Sequence, residues 1–187
     1  MTKTISLLIA GLLALGGAHA QTVKLQTSEG DIRIQLNAEK APKSVANFVQ
    51  YVKAGHYNGT VFHRVIDGFM IQGGGFDTKL AQRPTKPPIP LESHNGLSNL
   101  RGTVAMARTG NPNSATSQFF INVADNVRLD GEPDSPATGY AVFGEVIEGM
   151  DVVDKIRATE VAPVGMHQHM PVKVITITKA LVEPAKK

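Results

Sequence analysis

Arg64 and Gln72 stand eight positions apart in a run, Val61 to Gly75, made mostly of aromatic, aliphatic and glycine residues. A guanidinium buried in such a run must be paired or hydrogen-bonded to offset its desolvation. At the rim of an apolar hollow it avoids that cost and offers a rigid fork of donors to a bound carbonyl or amide. The simpler alternative is a long side chain that snorkels from a half-buried strand to solvent. A second run weighs against that alternative. Ser117-Gln118-Phe119-Phe120-Ile121-Asn122 again sets an amide among aromatics, and Gly102-Thr103-Val104-Ala105-Met106-Ala107-Arg108-Thr109 precedes it. A site of this composition suits a ligand that is apolar at one end and carries a peptide group at the other. A prolyl residue within a polypeptide meets both conditions.

These residues need a scaffold, and the apolar periodicity predicts one. Val23–Thr27 and Asp31–Leu36 alternate apolar and polar residues around Ser28-Glu29-Gly30, the pattern of a hairpin with one buried face. Pro42 opens a helical stripe of Val45, Phe48, Val49 and Val52 that Gly55 ends. Further strands are expected at Val61–Ile66, Phe69–Gln72, Thr103–Ala107, Gln118–Val123, Tyr140–Phe143 and Val172–Thr178. A second helix is expected at Met150–Arg157, with Met150, Val153 and Ile156 on one side. Many short strands with two helices, not alternating regularly, point to an α+β or all-β domain whose sheet is closed or sandwiched. Arg83–Pro90 and Gly131–Gly139 read as ordered surface loops, and Glu183–Lys187 as a frayed tail.

Lys3, the apolar stretch Ile5–Leu15 and Ala18-His19-Ala20 form the three parts of a cleavable export signal. That stretch is shorter than the roughly 20 residues a membrane-spanning helix needs. Residues 1–20 are therefore expected to be removed, leaving residues 21–187 as one exported domain in the periplasm with no inserted segment. The chain has 187 residues and no Cys, which excludes disulfides, thiolate metal sites and cysteine nucleophiles. A net charge of +3 with scattered basic residues argues against nucleic acid as a partner. No heptads or apolar stripe call for a second copy, so a monomer is expected.

Taken together, the motifs resemble the cyclophilin family of peptidyl-prolyl isomerases. The matching pieces are Phe62-His63-Arg64-Val65-Ile66, Gly68-Phe69-Met70-Ile71-Gln72-Gly73-Gly74, Gly102-Thr103 with Ala105-Met106-Ala107, and Ser117-Gln118-Phe119-Phe120-Ile121. Leu129-Asp130-Gly131 and Val142-Phe143-Gly144-Glu145-Val146 with Gly149-Met150 extend the likeness along nearly the whole mature chain. With its leader, the chain is similar to the bacterial periplasmic class. The resemblance implies a closed eight-stranded antiparallel β-barrel capped by two α-helices, and isomerisation of X-Pro bonds in exported proteins without cofactor or metal. It makes Arg64 the catalytic residue. Phe69, Met70, Phe120 and Leu129 become the proline pocket, Gln72 a hydrogen-bonding amide, and Ala107, Arg108, Thr109 and Gln118 the groove beside the residue preceding proline. Phe62, His63 and Tyr140 are also expected to touch substrate, whereas Phe119 is expected in the core.

Two positions depart from the eukaryotic pattern. Arg128 stands where those members place a Trp, and Tyr140 where they place a His. Loss of the indole predicts weak cyclosporin binding with isomerase activity retained. The rival reading of the same fold is a module that holds proline-containing segments as a chaperone, with little dependence on turnover.

Other motifs carry less. His167-Gln168-His169 could ligate a metal if it lay on a strand, but lacks a neighbouring acidic or Cys partner and reads as a loop. Gly73-Gly74-Gly75 has no following Lys-Ser/Thr and reads as a tight backbone turn rather than a phosphate loop. Asn58-Gly59 is a turn signal before it is a glycosylation sequon.

Overall fold

The computed structural model describes residues 21–184, so the expected leader at residues 1–20 lies outside the described residues. The strands and helices are β1 (Thr22–Thr27), β2 (Gly30–Leu36), α1 (Pro42–Lys53), β3 (Thr60–Ile66), β4 (Met70–Asp77), β5 (Thr103–Met106), β6 (Phe119–Asn122), β7 (Val142–Glu148), α2 (Met150–Arg157), β8 (Val161–Val164), β9 (His167–Pro171) and β10 (Thr176–Val182). Eight of the strands close an antiparallel barrel in the order β1-β10-β3-β4-β6-β5-β7-β2, while β8 and β9 form a separate hairpin. The expected hairpin is β1–β2, closed at Thr27↔Gly30.

The barrel interior and the helix stripes share one core. Leu25, Ile32, Ile34, Phe62, Phe119 and Phe143 fill it, each fully buried. Phe48 of α1 meets the rings of Tyr57, Phe119 and Phe143 at 5.0–5.4 Å. Val153 and Ile156 of α2 join the same core. Both helices match their expected spans, because a strong 3.6-residue stripe has no competing strand reading.

Several sequence expectations need correction. The last barrel strand starts at Thr176, not Val172, since Val172 and Val174 are exposed and Ile177 and Ala180 are the inward residues. Tyr140 and Ala141 precede β7, which instead runs on through Glu148. Gly73, Gly74 and Gly75 lie within β4 rather than in a turn. Gly74 has φ +85°, and a Cβ there would lie 2.7 Å from the Tyr57 ring, so the glycine admits a core aromatic rather than reversing the chain. His167-Gln168-His169 opens β9 and is not a loop. Glu183 is not frayed: its carboxylate accepts from Arg33 at 2.6 and 2.9 Å, and its N–H donates to Thr22 at 2.9 Å.

The feature that most shapes the site is a bulge in β3. Phe62 pairs with Gly73 and Arg64 pairs with Gln72, so His63 is an extra residue opposite no partner. Strict alternation would put Arg64 on the same face as Phe62, inside the barrel. The bulge turns it outward instead, and Val65 takes the next inward place. Phe62 is therefore core, fully buried beside Phe119 at 6.4 Å between rings, and not a substrate contact.

His63 is 4 % exposed, with its ring 4.7 Å from that of Phe76 and 5.5 Å from that of His167. Its Nδ1 has no hydrogen-bond partner among the described residues. Burial, then the neighbouring His167 and Arg64, hold its pKa down from 6.5 to about 4. Between these values the unfolded chain takes up a proton that the folded chain refuses, so this group's contribution to stability is lost as pH falls from about 6.5 to 4. The urea midpoint is expected to drop between pH 7 and 4.5 more steeply in the wild type than in His63→Gln. Equal drops would contradict this reading of His63.

Candidate active site

The outward face of β3, β4, β6, β5 and β7 carries a cross-strand row. Arg64 pairs with Gln72, Gln72 with Phe120, Phe120 with Ala105, and Ala105 with Val142. Neighbours on the same face of adjacent strands sit close enough for their side chains to touch. The row thus begins with a cation and an amide and continues as an apolar floor.

That floor is a second hydrophobic cluster, separate from the barrel core. Met70, Ala105, Phe120 and Val142 are buried within it, and Ile66, Phe69, Leu97, Ala107, Leu129 and Tyr140 pack half-buried around them. Alternation explains the split between neighbours: Phe119 points into the barrel and Phe120 out onto the floor. The Phe120 and Tyr140 rings meet edge to face at 5.6 Å.

At the polar end, Arg64 Nη1 donates to Gln72 Oε1 at 3.2 Å, and Gln72 Nε2 donates to Gln118 Oε1 at 2.9 Å. This chain fixes the guanidinium beside Met70, whose sulfur lies 4.0 Å from Nη1, and 5.9 Å from the Phe69 ring centroid. The rest of the Arg64 fork makes no hydrogen bond among the described residues. Gly75 leaves room for Gln118: a Cβ there would lie 2.6 Å from the Gln118 side chain.

Two further guanidiniums frame the hollow. Arg128 stands 4.8 Å over the Phe69 ring and Arg108 4.8 Å over the Tyr140 ring, both cation–π contacts. Arg108 is braced by Nε donating to the Gly139 carbonyl at 2.9 Å. Tyr140 follows the Gly131–Gly139 loop and is tied to a 3₁₀ turn, Val127–Leu129, by its N–H donating to the Leu129 carbonyl at 2.9 Å.

Of the expected site residues, the structure brings Arg64, Phe69, Met70, Gln72, Ala107, Arg108, Gln118, Phe120, Leu129 and Tyr140 to one surface. Phe62 lies in the core. His63 lies under the β8–β9 hairpin rather than on the apolar cluster. Thr109 stands exposed outside the cluster, its hydroxyl donating to Ser114 at 2.8 Å. Among the described residues, no group of three or more His, Cys, Asp or Glu could hold a metal ion.

Sequence reasoning missed the support beneath the rim, three buried asparagines. Asn126 donates to the Phe69 carbonyl at 2.8 Å and to Asn122 Oδ1 at 2.8 Å. Asn122 donates to Asn99 Oδ1 at 3.2 Å and to Thr103 at 2.9 Å. Asn99 donates to the carbonyls of Leu129 and Tyr140 at 3.2 and 3.3 Å and to Asp130 at 2.9 Å. Asp130 in turn accepts from the Asn99 N–H at 2.7 Å and from the Ser98 hydroxyl. One satisfied polar network thus holds the backbone of Phe69, Leu129 and Tyr140 in fixed relation. The only sequence signal for it was Asn122, an amide closing an otherwise apolar strand.

This arrangement agrees with what the chain is similar to. A family model described as cyclophilin type peptidyl-prolyl cis-trans isomerase/CLD matches residues 22–182. A peptidyl-prolyl cis-trans isomerase of Acinetobacter baylyi is 52 % identical over 190 residues, covering 100 % of both chains. Peptidyl-prolyl cis-trans isomerase A of Dickeya dadantii is 54 % identical over 177 residues, 92 % of each chain. Peptidyl-prolyl cis-trans isomerase B of Escherichia coli is 52 % identical over 161 residues, 86 % of this chain and 98 % of that one. Among solved structures, a cyclophilin type isomerase of Cryptosporidium parvum crystallised in the presence of the dipeptide Ala-Pro superposes with a TM-score of 0.72 at 28 % identity, covering 88 % of this chain and 99 % of that one. A closed barrel with two helices, the motif order along residues 22–182, and these identities give one answer: the chain belongs to the cyclophilin-type peptidyl-prolyl cis-trans isomerases.

Proposed function

We propose that Arg64 is the catalytic residue of this isomerase and that its substrates are X-Pro segments of polypeptides exported to the periplasm. The observation that carries the reading is the Arg64 guanidinium, held by Gln72 at the lip of an apolar hollow with most of its donors free among the described residues.

Rotation about an X-Pro bond passes through a twisted amide, because planar resonance is lost at the barrier of about 18–20 kcal/mol. The prolyl nitrogen then becomes pyramidal and regains a lone pair. A donor aimed at that nitrogen finds little to bind in the planar ground state and a strong acceptor in the twisted state. Such differential binding is what lowers a barrier. The half-buried Phe69, Leu129 and Tyr140, packed on the buried floor of Met70, Ala105, Phe120 and Val142, take the pyrrolidine ring and anchor one side of the rotating bond. Ala107 and Arg108 flank the residue before proline, where backbone groups pair with an extended peptide. The step needs no nucleophile, proton transfer or metal.

Arg64→Ala is expected to lower kcat/KM on an X-Pro peptide by about 10²–10³-fold, the scale of removing one preorganised donor to transition-state charge. A protease-free isomerisation assay measures it. Unchanged turnover in the variant would remove Arg64 from catalysis and favour the holding-module reading.

Export rests on the leader composition of residues 1–20. N-terminal sequencing of protein purified from the periplasm tests it: Gln21 as first residue supports removal, and Met1 overturns it.

Weak cyclosporin binding follows from Arg128, whose guanidinium rather than a large indole face covers Phe69. Arg128→Trp is expected to tighten cyclosporin binding about tenfold or more, as an aromatic anchor at an interface typically does. Equal affinity of wild type and variant, measured by calorimetry, would count against this account of the rim.

A further inference from the structure

Beside the apolar cluster, across Arg64, lies a hollow of about 410 Å³ that shares only Arg64 and Gln118 with the proline site. Three rings line it, His63, Phe76 and His167, meeting edge to face with centroids 4.7–5.5 Å apart. Its outer wall is the start of β9, where His167 is half-buried, His169 is exposed, and the two project from one face of the strand. Met166 at the hairpin tip is 84 % exposed. Arg64 and Gln118 close the side nearest the proline site and so belong to both hollows.

The lining is one-sided in charge. It holds Arg64, three imidazoles and two amides, and no Asp or Glu among the described residues. The next carboxylate along β4, Asp77, is turned into its own loop, accepting from the N–H groups of Lys79 and Ala81 at 2.8 and 3.0 Å. An acidic side chain entering here meets guanidinium, imidazole and amide donors, whereas a Lys side chain meets the Arg64 charge unscreened by any partner carboxylate.

We propose that this hollow is a specificity subsite for an acidic side chain, Asp or Glu, one to three residues from the proline of the substrate polypeptide. Continuity fixes the occupant: a chain with its prolyl ring on Phe120 and its rotating bond at Arg64 passes the hollow within a few residues, each extended residue advancing about 3.3 Å. The inference rests on the proposed placement of the X-Pro bond at Arg64.

The test is a set of Ala-X-Pro-based peptides carrying Glu, Gln or Lys at each of three positions before and after the proline. kcat/KM is measured for wild type, His167→Glu and His169→Ala. Because the readout is the Glu-to-Lys ratio within one preparation, partial misfolding of a variant does not mimic the result. At one position the wild-type ratio is expected to reach about three- to tenfold, the scale of a charge contact at a half-buried rim. His167→Glu is expected to invert it, and His169→Ala to reduce it. Wild-type ratios near one at every position, or the same ratio in wild type and His167→Glu, would overturn the subsite while leaving the proline site standing. Amide chemical-shift changes from a bound X-Pro peptide that bypass Arg64 and Phe120 would overturn the site placement, and the subsite with it.

Discussion

A guanidinium cannot be left in a barrel core, yet the catalysis proposed for Arg64 wants one beside an apolar surface rather than out in bulk water. The bulge at His63 resolves that conflict. By adding one residue between the Phe62↔Gly73 and Arg64↔Gln72 pairs, it moves Arg64 from the inner to the outer face without breaking the strand. Everything else at the site depends on that turn. Gln72 is placed directly opposite Arg64, Phe120 directly opposite Gln72, and the floor continues through Ala105 to Val142. The displaced His63 is stored under the β8–β9 hairpin among edge-to-face rings, where burial holds its pKa down.

The two hydrophobic clusters do different jobs. The inner one, with Phe48, Phe62, Phe119 and Phe143, makes the barrel a rigid frame in which no strand edge is left free. The outer one lies on the outward face of the sheet, with half-buried side chains packed around a buried floor and braced from the rim. Asn99, Asn122 and Asn126 tie the backbone of Phe69, Leu129 and Tyr140 to one buried network, and Arg108 and Arg128 lie across Tyr140 and Phe69. In the proposed mechanism such a preorganised surface costs little to order when a prolyl ring enters, which leaves binding energy for the rotating bond.

Much of this could be read from residues alone, and the failures share a cause. Helix α1 and the β1–β2 hairpin were legible because their apolar periods are unambiguous. The meeting of Arg64, Phe69, Met70, Gln72, Phe120 and Leu129 on one surface was legible because whole motifs around them match a family. Phe62 and His63 were misplaced because a bulge leaves no mark in residue type: Phe62-His63-Arg64 reads as plain alternation. The Gly73–Gly75 run was misread because glycine serves both for turning and for admitting a neighbour, here Tyr57 and Gln118. The β8–β9 hairpin escaped because it lies outside the barrel and needs no apolar alternation. The asparagine network escaped because its members are far apart in sequence and meet only through tertiary pairing.

The central claim is that Arg64 acts on the twisted amide and not on the resting peptide. Two-dimensional NMR exchange on a saturating X-Pro peptide separates the two, since it reports binding and on-enzyme cis–trans rotation in one sample. With Arg64→Ala, the peptide is expected to bind within about threefold of the wild-type Kd while on-enzyme exchange slows by about 100-fold or more. Exchange that persists at the wild-type rate, or that falls only as far as binding falls, would contradict the account.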